Sequence, residues 1–399
     1  MFSSAGMIAV VLHDLPLGGT ERIAIRLANR WAAAGRNVIL FCGSKQGPLA
    51  GMIDRGVEVV ECDPPIPRGP DSRRRLGEAT AEFIAARGPD ILFVPGNFHW
   101  PVLAAVDRLP EHLRPGVVAQ ISTPLFRHGR GPLRQIAYNL RTRRQLRRVD
   151  RAISLSPAMT ADADAVLGRR VTQCIRLPAL DDPEAAPRVP ASGAVVLAAG
   201  RMVREKGFDI ALRAFARLED QTTRLVIVGE GPRRAELLAL AEELGVAGRT
   251  EFPGYVPDIR PWLAVARAFL VSSWYEGYAA VIVEALDAGR PVVSTDCTPA
   301  AVELLQRPCA GRVAPIGDDV ALAECLRQVL AAPAPDPDSL AETVAGYRIG
   351  PISEAYLQVF DAIALRRSVS AAARVSAKPA RRPWRAFGET VQPVWRRSG

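Results

Sequence analysis

The chain has 399 residues, 48% hydrophobic and 23% charged, with a formal net charge of +9 from 51 basic and 42 acidic side chains. That length predicts two or three compact domains, and that balance excludes a disordered or collagen-like chain. No apolar run approaches the roughly 18 residues of a membrane span, no signal-peptide pattern opens the chain and no nucleic-acid-binding motif accompanies the charge. A cytoplasmic protein without a nucleic-acid partner, free or peripheral on the inner membrane face, is expected.

Met7–Leu12 is a short apolar run and reads as a strand. Gly18-Gly19 makes a turn, and Glu21–Ala34 reads as a helix closed by Gly35. Asn37–Cys42, Val57–Glu61, Ile91–Pro95, Val117–Ile121 and Ala152–Leu155 continue as strands, each bounded by Gly, Pro or Asp. Between the last two lies a dense basic stretch, 127–151, with Arg127, Arg130, Arg134, Arg141, Arg143, Arg144, Arg147, Arg148 and Arg151. Leu133, Ile136, Leu140 and Leu146 are interleaved with them. This pattern fits a solvated helix, an anionic membrane surface or a grip on a lipid diphosphate. Leu177–Gly193, rich in Pro, Asp and Glu, reads as an interdomain linker. A second series follows: Val195–Ala199, Leu225–Val228, Thr250–Phe252, Ala268–Ser272 and Pro291–Ser294. Ala331–Ser339 is a proline-rich break, and Ile352–Leu365 a closing helix. The alternation predicts an α/β protein of two Rossmann-like domains facing across a cleft. The expected limits are 1–178, 179–350, a closing helix at 351–367 that returns to the first domain, and a basic tail at 368–399. Trp384 and Trp395 lie in that tail beside Arg381, Arg382, Arg385, Arg396 and Arg397.

Ligands of such sheets bind beyond the C-terminal strand ends, and four motifs stand there. Gly18-Gly19-Thr20-Glu21 follows the first strand and opens a helix, where backbone can approach an anion. The loop Gly200–Gly207 follows the first strand of the second series and carries Arg201 and Lys206, two cations suited to a diphosphate. The chain has three lysines, Lys45, Lys206 and Lys378, so an ammonium group at 206 departs from its arginine habit. Gly229-Glu230-Gly231-Pro232 follows the next strand and serves as a cleft loop or a plain turn. Ser272–Ala285 carries Glu276 in a loop and Glu284 on the helix expected from Ala279. The N–H groups at that helix start suit an anion, and the two carboxylates suit sugar and ribose hydroxyls.

These motifs, with Phe252-Pro253-Gly254-Tyr255-Val256 and the Glu-x7-Glu pair, occur in the order of the retaining glycosyltransferases of family 4, which the chain resembles over roughly Met7 to Val329. The resemblance implies the GT-B fold, a first domain for the acceptor and a second for a nucleotide-sugar donor of UDP or GDP type. It implies that Arg201 and Lys206 bind the diphosphate and that Glu276 contacts the sugar, with backbone of Gly277, Tyr278, Ala279 and Ala280. It places Glu284 on the ribose, Val256 beside the base, Gly200 and Gly229 in the donor loops, and Gly19 across the cleft. Glu276, Arg201 and Lys206 are the expected catalytic set. The acceptor is expected to be a glycan or lipid-linked saccharide of the cell envelope, and no cofactor or metal is expected. Two rivals remain: an epimerase of sugar nucleotides on the same fold, and a binding partner without turnover.

There are departures from the family pattern. The histidine common after the strand Val117–Ile121 is replaced by Ser122-Thr123-Pro124-Leu125, with His128 nearby. Ala279 stands where proline is common. His13 and His99 are expected to be hydrogen-bonded structural residues. Asp162/Asp164 and Asp336/Asp338 form Asp-x-Asp pairs but do not follow cleft strands. The six cysteines show no Cys-x-x-Cys spacing and are expected to be buried free thiols.

Overall fold

The structure, a computed structural model, describes residues 4–126, 130–182, 188 and 193–376, with 371–376 as backbone only. The described residues form two parallel sheets. The first comprises β1 (Met7–Leu12), β2 (Asn37–Cys42), β3 (Val57–Glu61), β4 (Ile91–Val94), β5 (Gly116–Ile121), β6 (Arg151–Ser154) and β7 (Thr172–Cys174), in the spatial order β3-β2-β1-β4-β5-β6-β7. The second comprises β8 (Val195–Ala199), β9 (Arg224–Val228), β10 (Thr250–Gly254), β11 (Ala268–Val271), β12 (Val292–Thr295) and β13 (Gly311–Ala314), in the order β10-β9-β8-β11-β12-β13. Helices cover both faces, so β4, β11 and β12 are buried along their whole length and read as unbroken apolar runs. The winding reverses between β1 and β4 and again between β8 and β11. Crevices open at such points.

β7 and β13 are additions to the strands read from the sequence. Both are short edge strands, and Thr172-Gln173-Cys174 and Gly311-Arg312-Val313-Ala314 carry too few branched apolar residues to announce themselves. The stretch read as a break at 331–339 contains the start of a helix, Pro337–Thr343. Its N-terminus is capped by Asp336, which accepts from Ser339 N at 2.9 Å. The closing helix runs Ile349–Ser376, well beyond the limits read for it.

That last helix packs on the first domain. Trp31 meets Phe360 at 4.9 Å and Phe93 at 5.4 Å between ring centroids. Gln120 Nε2 donates to Tyr356 Oη at 2.9 Å, and Asp361 accepts from Arg36 Nη2 at 2.8 Å. The two crossings between domains run side by side: Leu180 N donates to Tyr347 O at 3.1 Å and Ile349 N to Leu180 O at 2.9 Å. One apolar core accordingly extends from the first sheet through Tyr278, Ile282 and Tyr347, while a second fills the far face of the second sheet.

The thiol expectation holds for Cys42, Cys62 and Cys297, which are buried; Cys174 and Cys309 are exposed and Cys325 is half-buried. Cys174 ends an edge strand and so lacks a neighbour on one side. The Asp-x-Asp residues have local partners. Asp162 accepts from Leu125 N and Phe126 N, both at 3.1 Å, and Asp164 accepts from Thr172 N at 3.2 Å. Asp338 pairs with Arg188 at 2.9 Å.

His99 is buried and bonded through both nitrogens. Nε2 accepts from His13 N at 3.1 Å and Nδ1 faces Pro95 O at 2.7 Å. The ring is therefore the neutral Nδ1–H tautomer, and burial pushes its pKa down from 6.5 to about 4. His13 departs from expectation: its ring nitrogens lack hydrogen-bond partners among the described residues, and Nδ1 lies 3.9 Å from Asp14. Because the folded pKa of His99 is depressed, its contribution is complete above the unfolded value and is lost as pH falls toward the folded one. The melting temperature is expected to fall from about pH 7 to about pH 4, this ring accounting for about 3 kcal/mol of stability over the whole window and about 2 kcal/mol of it by pH 5. His99→Asn should have a flatter profile; superimposable profiles for both proteins would contradict the assignment.

Candidate functional site

The second sheet's reversal point gathers the residues singled out in the C-terminal half. After β8 the chain turns at Gly200, and the Lys206 side chain folds back over it, with Cε 3.1 Å from where a Cβ would stand. Lys206 Nζ donates to Glu276 Oε1 at 2.5 Å. The side chains of this pair are 22% and 12% exposed, so solvent screens it less than a surface pair. Glu276 also accepts from Ser273 Oγ at 2.7 Å, and its N–H donates to Cys297 O at 3.1 Å.

Backbone contacts, rather than the ion pair, fix the loop. Gly207 has φ +59°, and a methyl group there would overlap the Ser272 carbonyl oxygen. Ser272 Oγ donates to Lys206 O at 3.0 Å and Trp274 N to Glu205 O at 2.8 Å. Gly229 has φ +138°, and a side chain on it would overlap the Gly200 carbonyl oxygen. Gly229 N donates to Gly254 O at 2.8 Å, and Gly200 N to Val228 O at 2.9 Å. The glycine turn after β9 thus lets the loops after β8, β9 and β10 touch backbone to backbone. Val256, beyond β10, is half-buried against the core. Arg201 is exposed and has no ion pair among the described residues.

The helix after Glu276 runs Ala280–Asp287, one residue later than expected, and no side chain caps its start. Ala279 precedes it in the left-handed region, φ +59° and ψ 62°. That backbone costs a non-glycine residue about 1–2 kcal/mol and turns the 277–280 backbone at the cleft. Tyr278 points its ring into the interior, where its hydroxyl meets that of Tyr347 at 2.7 Å; only its backbone is left for the cleft. Glu284 is half-buried, with no hydrogen bond to its carboxylate among the described residues. Burial pushes this carboxyl up, while Arg22 and Arg26 pull it back. Both arginines come from the first-domain helix Gly19–Ala33, so Glu284 faces across the interface.

The first domain closes the other side. A Cβ on Gly277 would stand 2.6 Å from Ser122 O and 3.3 Å from Thr123 Cγ2. Ser122 and Thr123 therefore form the cleft wall opposite the Glu276 loop. Asn97 holds them: its Oδ1 accepts from Ser122 N at 2.9 Å and its Nδ2 donates to Thr123 O at 3.3 Å. Gly19 is exposed, and beyond its chain neighbours and its own helix backbone no atom of the described residues lies within 4 Å of its Cβ position. Arg127 and His128 lie outside the described residues.

Gly200, Lys206, Gly229 and Glu276 thus form one constellation, Gly277 joins it to the first domain, and Glu284 lies one helix turn further in. Among the described residues no side-chain hydrogen bond or ion pair ties Arg201, Val256 or Gly19 to it. Ser273 belongs to the same motif loop as Glu276 and bonds it locally. Asn97, Arg22 and Arg26 also line the site but follow no local pattern, and only the fold brings them there.

The family described as Glycosyltransferase Family 4 matches residues 17–175, and Glycosyl transferases group 1 matches residues 193–332. The lipopolysaccharide core biosynthesis glycosyltransferase LpsE of Rhizobium meliloti is 43% identical over 106 residues, 27% of this chain and 31% of the relative. LpsD of the same organism, also named a lipopolysaccharide core biosynthesis glycosyltransferase, is 31% identical over 183 residues, 44% of this chain and 51% of the relative. The matched part of the chain spans about a third to a half of the length of these curated relatives. Anabaena HepE, solved in complex with UDP and glucose, superposes with a TM-score of 0.65 at 18% identity, covering 92% of this chain and 99% of that one.

Proposed function

The chain belongs to the family 4 glycosyltransferases of GT-B fold, and from that premise we propose that it moves a sugar from a nucleoside diphosphate to a glycan or lipid-linked acceptor with retention of anomeric configuration. The observation that carries this reading is the Lys206–Glu276 pair, 2.5 Å apart at the C-terminal ends of β8 and β11. It sits where the second domain faces Ser122 of the first.

In this reading the second domain holds the donor. Lys206 and Arg201 meet the diphosphate, and the uncapped N–H groups at Gly277–Ala280 add partial positive charge. Donor binding places phosphate beside Lys206, and Glu276 then accepts hydrogens from sugar hydroxyls. Glu284 takes the ribose hydroxyls, Val256 lies beside the base of a UDP or GDP donor, and Gly19 leaves room for phosphate or sugar from the other side. The bond from the anomeric carbon to the diphosphate breaks as the acceptor oxygen bonds on the same face. The leaving phosphate oxygen takes the acceptor proton. The protein supplies positioning and charge compensation, with no protein nucleophile and no metal required. The names of the Rhizobium relatives support an acceptor in a cell-envelope glycan.

Slow donor hydrolysis tests the stereochemistry without an identified acceptor. The purified protein is incubated with UDP- or GDP-linked α-sugars, and the first free sugar is followed by proton NMR. The α-anomer is expected to appear first. First appearance of the β-anomer would overturn retention, and conversion of the intact donor to its epimer would favour the isomerase.

A further inference from the structure

Tyr347 ends the short turn Ala345–Tyr347, just ahead of the helix that returns to the first domain. Its backbone is fixed on both sides. Its N–H donates to Val344 O at 3.0 Å, and its carbonyl accepts from Leu180 N at 3.1 Å on the outgoing crossing. Its ring is framed as well. The Arg176 guanidinium lies 5.6 Å from the ring centroid, and a methyl group on the preceding Gly346 would stand 2.7 Å from Arg176 Nη1.

From this anchor the Tyr347 hydroxyl meets that of Tyr278 at 2.7 Å. Both rings are buried, with centroids 6.1 Å apart and planes tilted by 45°. Two phenylalanines would fill the same space; the hydroxyl pair adds a fixed length and direction. The residue it fixes stands beside Ala279, whose backbone is left-handed. A residue other than glycine keeps that conformation only where its surroundings impose it. On the far side the helix does so, with Ile282 N donating to Ala279 O at 2.9 Å. On the near side Thr298 Oγ1 donates to Gly277 O at 3.3 Å, and Tyr347 holds Tyr278. The next residue, Arg348, pairs with Asp287 at the opposite end of the same helix. Two consecutive residues at the crossing thus hold both ends of the helix that carries Glu284.

We propose that Tyr347 is a positioning residue for the donor: through Tyr278 it holds the turn at Ala279 and so aims the Gly277–Ala280 N–H groups at the departing diphosphate. This rests on the donor reading and extends it to a residue beyond the motif loops. Neither hydroxyl faces the cleft, so their loss acts on the rate through the backbone they hold in place.

The test compares Tyr278→Phe, Tyr347→Phe and the double variant in slow hydrolysis of the UDP- or GDP-linked sugar that wild type binds. Each single variant leaves one buried hydroxyl unpaired and should melt about 2–6 °C lower. The double variant removes both hydroxyls and should melt within about 2 °C of wild type. It should nonetheless hydrolyse saturating donor about tenfold more slowly, with Kd for the donor raised less than about threefold because Lys206, Arg201 and Glu284 are untouched. Tyr356→Phe is the structural control. It takes from Gln120 its 2.9 Å partner in the first domain, so it should lower the melting temperature and keep the hydrolysis rate. A double variant that hydrolyses donor as fast as wild type, or as fast as an equally destabilised Tyr356→Phe, would overturn the proposal and leave the donor reading standing. A wild type that binds no nucleotide sugar would overturn both.

Discussion

Lys206→Ala is expected to cut the transfer rate by about 10²–10³-fold while leaving the fold in place. In the proposed reading the loss arises because Lys206, held at the crevice 2.5 Å from Glu276, is the cation that would meet the charge gained by a departing diphosphate. The fold survives because the loop is anchored by backbone: Gly207 under Ser272, and Trp274 N on Glu205 O. Glu276 keeps its bond from Ser273 Oγ, so its carboxylate is not left without a partner. Lys206→Arg should not restore the rate. The side chain lies 3.1 Å from the Cβ position of Gly200, and a planar guanidinium is longer and wider than an ammonium group. The expected signature is a fall in kcat with an unchanged melting temperature. An unchanged kcat would remove Lys206 from the chemistry; a collapse in melting temperature would make it structural.

Gly229→Ala should destabilise the second domain by about 3 kcal/mol or more. Its φ is +138°, and the added methyl would overlap the Gly200 carbonyl oxygen, a backbone atom without a flexible chain to swing aside. The strain falls at the loops after β8, β9 and β10, so donor binding should fail together with stability. Gly19→Ala is the contrast. Its site is open, with nothing beyond its chain neighbours and its own helix backbone within 4 Å among the described residues, so stability should stay within about 0.5 kcal/mol. Weakened donor binding in Gly19→Ala, with its melting temperature intact, would support the placement of the donor against this turn. Equal melting temperatures for Gly229→Ala and wild type would contradict the packing of the three loops.

The alternation of apolar runs and helices was enough to read two doubly wound sheets, because buried parallel strands cannot hide their composition. β1, β2, β3 and β8 carry the limits read from the sequence. The edge strands β7 and β13 escaped because a strand with one neighbour needs less apolar surface. The motif loops were legible because tight turns at strand ends demand glycine, as Gly229 shows. The pairing of Lys206 with Glu276 was not: seventy positions separate them, and the meeting depends on β8 and β11 being neighbours. Asn97, which holds Ser122 and Thr123 at the cleft wall, carried no local signal either. The conformation of Ala279 was likewise invisible, since an alanine in the left-handed region contradicts its own preference. The helix at 132–145 was half legible. Its mixture of arginine and leucine was plain, but which face is packed depends on Gln135 reaching Leu125.

Calorimetric titration with UDP- and GDP-linked sugars, comparing wild type with Arg201→Ala/Lys206→Ala, tests the donor assignment most directly. One nucleotide sugar should bind the wild type saturably, and the double variant should bind it at least about tenfold more weakly while melting at the same temperature. Equal binding by both proteins, or no binding of any nucleotide sugar by the wild type, would contradict it.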